Sequence, residues 1–444
     1  MRRGGQRRPR PLHHPHDRQI LRLAVPALGA LAAEPLYVLA DTAVVGRLGT
    51  PQLGGLAVAG TLVLTGYVLF NFLAYGTTAS VARRLGSGDR AGAAHEGLQG
   101  MWLALVIGLA LAALGLALAP QAVRLMGGTG EVAVNALVYL RISLVGVPAL
   151  LVGLAGTGYL RGRQNTFTPL VVTVVAVAAN LALELALIYG LGFGIGASAL
   201  ASVVAQVGTA LAYMRWVAGD AARLGVGLRP DPAAIRRLAV VGRDLFVRTA
   251  ALRLALTLAT AVAARLGPVE LGAHQIAFEL WSFLALVLDS LAIAAQAMVG
   301  RMLGAGDADG ARSAAGRMLQ WGLGAGLVFA AAVAALRPWL PGLFSTDAEV
   351  VAAAAAVLVV VAALQPLNAV VFVLDGVLIG AGDMRFLAAA MVGAAAVFAP
   401  VAVAVAAVGA GLGWLWAALG LLMAARASAL VWRFRGGAWL VTGA

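Results

Sequence analysis

Apolar residues in this chain run in long blocks, separated by short stretches rich in arginine, glycine and proline. Twelve blocks can be traced, near 18–46, 52–81, 93–120, 131–159, 168–190, 194–217, 237–265, 269–300, 312–336, 349–379, 387–408 and 411–433. A helix needs about 20 apolar residues to cross a bilayer, whereas barrel strands alternate over about 10. The pattern therefore predicts an all-α integral membrane protein with twelve transmembrane helices.

Composition supports this. Of the 444 residues, 61% are hydrophobic and only 11% charged, against about 25% charged in a soluble domain. Cysteine is absent, which excludes disulfides and thiolate chemistry. Lysine is absent too, so all 32 basic residues are arginine. The net charge of +13 does not point to nucleic acid, because its distribution follows the spans. Four arginines (Arg47, Arg124, Arg265, Arg337) fall in odd-numbered loops and three (Arg141, Arg248, Arg253) inside spans. The other twenty-five lie at the ends and in even-numbered loops, including Arg426 with Arg433 and Arg435. Positive loops stay in the cytoplasm, so both termini are expected there, in a multi-pass protein of the plasma (inner) membrane. Residues 1–17, with five early arginines and His13, His14 and His16, read as a disordered basic tail; a histidine metal site there is the lesser reading. No signal peptide is expected.

The chain repeats itself. Arg47-Leu-Gly-Thr-Pro-Gln-Leu-Gly54 returns as Arg265-Leu-Gly-Pro-Val-Glu-Leu-Gly272, Arg84-Leu-Gly-Ser-Gly-Asp89 as Met302-Leu-Gly-Ala-Gly-Asp307, and Pro148 as Pro366, all offset by 218. Six spans fall in each copy, an even number, so the copies are parallel. The expected layout is an N-lobe (18–218), a cytoplasmic linker (219–236), a C-lobe (237–436) and a C-terminal tail (437–444). The Gly-Ser-Gly-Asp and Gly-Ala-Gly-Asp segments lack the Lys-Ser/Thr ending of a phosphate loop and read as short turns.

Charge at membrane depth costs several kcal/mol, roughly 2.5–3.5 on insertion scales, and asks for a functional reason. The first span holds Glu34 and Asp41, with Tyr37 one turn before Asp41. Asn180 and Glu184 share a face of the fifth span, and Ser198, Ser202 and Gln206 form a polar stripe on the sixth. The repeat serves as an internal control: 218 residues after Asp41, Asn180 and Glu184 stand Ala259, Phe398 and Ala402. The scaffold is duplicated and these polar groups are not. Carboxylate, amide and hydroxyl oxygens suit a proton relay or a hard cation such as Na⁺, so Asp41, Asn180 and Glu184 are the candidate coupling site. Pro26 and Pro35 permit kinks in the first span beside that acid. The competing readings are an Asp41 satisfied by a silent Ser/Thr or backbone donor, an Asn180–Glu184 pair acting as interhelical glue, and a Glu34 near the surface. In the second half Arg248, Arg253, Glu279, Asp289 and Asp375 are buried by pattern, either as a structural ion network or as substrate contacts.

These motifs resemble the multidrug and toxic compound extrusion (MATE) family, DinF-like subgroup. The resemblance is carried by Pro26 and Pro35 with Leu39-Ala-Asp41-Thr-Ala-Val-Val-Gly-Arg-Leu-Gly49, by Leu271-Gly-Ala-His-Gln-Ile276, and by Leu374-Asp-Gly-Val-Leu-Ile-Gly-Ala-Gly-Asp383. It implies two six-helix lobes forming a V around a central cavity. It also implies export of amphipathic, cationic compounds in exchange for H⁺ or Na⁺, with Asp41 as the coupling acid. Asn180 and Glu184 fall on the family's helix-five group, Glu standing where Asp is expected. Candidate substrate-cavity residues are Glu34, Tyr37, Ser198, Ser202, Gln206, Arg248, Arg253, Glu279, Asp289 and Asp375. No cofactor, resident metal or nucleic acid is expected; the partners are the bilayer and a small organic substrate, and the protein is expected to be a monomer. A lipid-linked precursor flippase and an organic-anion exporter are the alternatives. No acid–base pair with a nucleophile stands out, so an enzyme is not expected.

Overall fold

The computed structural model describes residues 14–443. The basic segment 1–13, with Arg2, Arg3, Arg7, Arg8, Arg10 and His13, and residue 444 lie outside the described residues. Among the described residues the chain is helical throughout, without strands. Its helices are α1 (Asp17–Gly46), α2 (Thr50–Leu69), α3 (Phe72–Gly86), α4 (Arg90–Leu125), α5 (Gly130–Gly162), α6 (Phe167–Leu185), α7 (Gly196–Arg223), α8 (Pro232–Leu266), α9 (Pro268–Gly304), α10 (Ala308–Leu336), α11 (Ala348–Gly380), α12 (Met384–Val408) and α13 (Leu412–Gly436). Helices α2 and α3 are one span broken at Phe70–Asn71, so twelve helices are long and apolar enough to cross a membrane. The sequence pattern did not predict that break, nor the π-helical turn Ala186–Gly190 that follows α6.

Three boundaries differ from the sequence reading. Helices α7 and α8 extend into the proposed linker, leaving only residues 224–231 between them. Asp231 caps α8 by accepting from the backbone of Ala233 and Ala234, which holds its carboxyl below the usual range. Asp17 is not tail: α1 starts there, and its carboxylate accepts from Arg317 Nε at 2.6 Å and Trp321 Nε1 at 2.8 Å on α10. The C-terminal residues also fold back. Trp439 is buried against Phe434, and the Val441 carbonyl accepts from Arg83 at 2.5 Å.

The cores define a V. One buried cluster lies at the end of the bundle that holds the termini and draws on both halves, with Ile20, Val81, Met101 and Tyr213 beside Met298, Leu303, Met318 and Leu430. At the opposite end there are two separate clusters. One belongs to the first half, with Val45, Leu56, Val123, Leu140 and Ala199. The other belongs to the second, with Val262, Ile276, Val357, Phe398 and Trp416. The lobes thus meet at the terminal end and part at the other.

The repeat is visible at atomic detail in that shared end. A Cβ on Gly86 would run into the Arg301 carbonyl oxygen, and one on Gly304 into that of Arg83, the positions related by 218. The same holds for Gly158 against the Ala74 carbonyl and Gly376 against that of Ala292. The Gly-Asp turns are helix caps: Asp89 accepts from Gly92 N and Asp307 from Gly310 N, after Gly88 and Gly306 at φ 82° and 81°. Glycine lets α3 and α9 cross backbone to backbone, and Gln296 Nε2 donates to the Tyr75 carbonyl at 2.5 Å between them. Adding bulk there should force the seal apart. We expect Gly304→Ala to lower the thermal unfolding midpoint of the solubilised protein, at an overpacking cost of about 1–3 kcal/mol. Gly316→Ala on α10, where a Cβ meets open space, should be neutral or stabilising. Equal midpoints would contradict this account of the crossing.

Candidate functional site

Glu34, Tyr37 and Asp41 are three and four residues apart, so α1 presents them on one face. They line a cavity of about 550 Å³ in the first lobe, together with Asn180 from α6 and Ser202 and Gln206 from α7. Asp41 is 5% exposed, and its Oδ1 accepts from Ser198 Oγ at 2.5 Å. Ser202 Oγ accepts from Asn180 Nδ2 at 3.2 Å and shares a 2.8 Å hydrogen bond with the Tyr37 hydroxyl. Glu184 is 0% exposed and lies behind the cavity in the field of Asp41. Among the described residues, both of its carboxylate oxygens and Oδ1 of Asn180 have no hydrogen-bond partner. Three helices therefore bring oxygen atoms together at one place.

No arginine or histidine lines this cavity, and no ion pair is made by Asp41, Glu34 or Glu184 among the described residues. Glu34 lines the cavity wall and its side chain is exposed there. Ser198 and Glu184 form the second layer behind the lining, as buried supports. Helix α1 is continuous through Pro26 and Pro35. The carbonyl that Pro26 cannot bond, that of Arg22, faces Thr166 Oγ1 at 3.5 Å on the neighbouring chain segment.

Sequence reading missed the aromatic and hydroxyl wall: Tyr67, Tyr139, Ser143, Thr157, Thr209 and Tyr213. A signal existed for the last two, because Thr209 and Tyr213 continue the Ser198–Ser202–Gln206 stripe at helical spacing. No such signal marks Tyr67, which stands alone in an apolar run.

The second lobe presents a smaller cavity of about 290 Å³ against α2 and α3. Arg248, Arg253, Asp289 and Asp375 all line it. Arg248 and Arg426 each donate from Nη2 to Asp375 Oδ2 at 2.5 Å. Arg426 was placed by sequence among the terminal-end arginines; it is 4% exposed within α13, and only Arg433 and Arg435 mark that helix end. Glu279 is the other correction. It lines neither cavity, is exposed, and accepts from Gln275 Nε2 at 2.9 Å one turn away on α9. The apolar run 269–300 placed it on the helix but could not fix its face.

The MatE family model matches residues 26–186 and 246–404, once in each lobe. The chain belongs to the MATE family. It is 33% identical to Protein DETOXIFICATION 44, chloroplastic, of Arabidopsis thaliana over 392 residues, covering 84% of this chain and 74% of that one. It is 29% identical to DNA damage-inducible protein F of Escherichia coli (strain K12) over 296 residues, 66% of this chain and 64% of that one. A MOP superfamily transporter from Pyrococcus furiosus Vc1, described as having a binding pocket of reversed polarity, superposes with a TM-score of 0.87 at 21% identity, over 97% and 98% of the two chains. The DinF-like MATE fold inferred from the motifs is thus the fold of this chain, a multi-pass membrane protein whose relatives are multidrug transporters.

In this MATE protein, Ser198 is the hydroxyl that answers Asp41. Leaving a buried carboxylate without its donor costs about 1–3 kcal/mol. Ser198→Ala should lower the unfolding midpoint by that measure, whereas Glu184→Gln, which neutralises an unpartnered group, should not. A Ser198→Ala protein as stable as wild type would remove Ser198 from this role.

Proposed function

We propose that this protein is a secondary antiporter of the plasma membrane, with both termini cytoplasmic, working as a monomer in the bilayer. It exports amphipathic organic cations in exchange for H⁺ or Na⁺. The observation that carries the reading is Asp41: a buried carboxylate on the wall of a large cavity, held by a serine and, among the described residues, by no basic group. Such a group binds a cation more tightly than water would allow, and a proton and an organic cation cannot both satisfy it. Occupancy by one displaces the other, which is the thermodynamic core of exchange.

The remaining parts have physical roles in this scheme. Asn180 Oδ1 and the Glu184 oxygens are acceptors with nothing donating to them, and they complete an oxygen-rich cradle that suits H⁺ or Na⁺. Glu34 adds a second negative charge at the cavity wall for the cationic end of a substrate, and Tyr37, Tyr67 and Tyr139 offer aromatic faces to it. The V, closed at the terminal end and parted at the other, is one of the two states that alternating access requires. Leu39-Ala-Asp41-Thr42, part of one of the three motifs that carry the family resemblance, contributes Asp41 and Thr42 to the cavity wall.

The test is transport by the purified protein in proteoliposomes. Asp41→Asn should abolish extrusion of an organic cation driven by an imposed pH or sodium gradient, while the variant still folds. Transport at the wild-type rate would overturn the proposal. Imposing the two gradients separately identifies the ion, since only the coupled one drives extrusion.

A further inference from the structure

The cavity of the second lobe is not used by this scheme, and its chemistry is the reverse of the first. Its lining carries Arg248, Arg253 and Arg426 against Asp289 and Asp375. The two buried guanidiniums converge on a single oxygen, Asp375 Oδ2, each through one Nη2. A guanidinium has five N–H donors. Beyond that bond, Arg426 reaches only Met423 Sδ, at 3.5 Å, and Arg248 reaches nothing further among the described residues. Among the described residues, Arg253 is exposed on the cavity wall without an ion pair, and Asp289 makes no hydrogen bond or ion pair. A structural ion pair would need one arginine for Asp375. Here three arginines and two aspartates line one cavity, and among the described residues only Arg248 and Arg426 form ion pairs, both with Asp375.

The repeat sharpens the point. Asp375 corresponds to Thr157 at an offset of 218, and Arg426 to Thr209 at 217, the offset that relates Gly194-Ile-Gly196 to Gly411-Leu-Gly413 late in the chain. Both threonines line the first lobe's cavity. The same positions on the shared scaffold thus face a cavity in each lobe, with hydroxyls in one and a charged pair in the other. Phe278, Trp281 and Phe372 give the second cavity apolar and aromatic walls, and Asn71 and Tyr75 close it from α3.

We propose that this cavity is a binding site for an organic anion, a carboxylate attached to an aromatic or apolar body. The spare donors of Arg248 and Arg426 form a planar fork suited to a carboxylate. Arg253 supplies the unneutralised charge, and the aromatic walls take the body. Asp289 opposes binding, as a like charge beside the site. This site is separate from Asp41 and does not rest on the antiport reading.

The experiment is equilibrium dialysis of the full-length protein in detergent with 1-naphthoate, with 1-naphthalenemethanol as its neutral counterpart. Naphthoate is expected to bind saturably and the alcohol weakly or not at all. Arg253→Gln, a change at an exposed and unpaired side chain, should weaken naphthoate about tenfold, and Arg253→Lys less, because charge is retained. Asp289→Asn should tighten it, a gain that a purely structural role for this cluster does not produce. Asp41→Asn should leave it unchanged. Equal binding of the acid and the alcohol, wild-type affinity in Arg253→Gln, no gain in Asp289→Asn, or loss in Asp41→Asn would each overturn the assignment.

Discussion

A carboxylate taken out of water without a counter-charge is a demand that the rest of a protein must answer. Asp41 makes that demand at the wall of a cavity, and the described residues answer with one serine hydroxyl at 2.5 Å and no basic side chain. Partial satisfaction of this kind keeps a group open to a mobile ion. A permanent arginine partner would have closed the question, as Asp375 demonstrates in the other lobe, where two guanidiniums occupy one oxygen. The two acids sit on equivalent halves of one architecture, and their surroundings give them different chemistry.

That difference grows from duplication. The paired glycines that let α3 and α9 cross, the paired aspartate caps and the paired prolines in α5 and α11 preserve the same backbone in both lobes. Backbone packing at the terminal end is therefore symmetric, while the cavity walls are free to diverge. One lobe gathered acids and hydroxyls, the other three arginines against two aspartates with phenylalanine and tryptophan rings. The lobes share a core where the symmetric contacts lie, and beyond it each lobe packs on a cluster of its own.

Much of this was legible in the chain. Twelve spans followed from apolar run length, and Asp41 stood out because a carboxylate interrupts such a run. The internal repeat supplied the control that an alignment would otherwise give: Ala259 in place of Asp41 marked the acid as particular to the first lobe. What stayed hidden was direction. Glu279 and Asp289 both lie on α9, yet Glu279 is exposed outside either cavity and Asp289 lines the second, and in a helix apolar on nearly every side no periodicity tells the two apart. Arg426 was hidden by its neighbours, since Arg433 and Arg435 made it look like part of a positive flank. The break at Phe70–Asn71 had no proline or paired glycine to announce it.

The central claim is that one buried acid set holds either the coupling ion or the organic cation, but not both. Its most direct test is to add an organic cation to the unloaded protein in weakly buffered detergent solution and follow the ions given up. The account predicts that protons, or ²²Na⁺ from protein equilibrated with sodium, leave in proportion to the cation bound. Tight binding of the cation with neither ion released would contradict it.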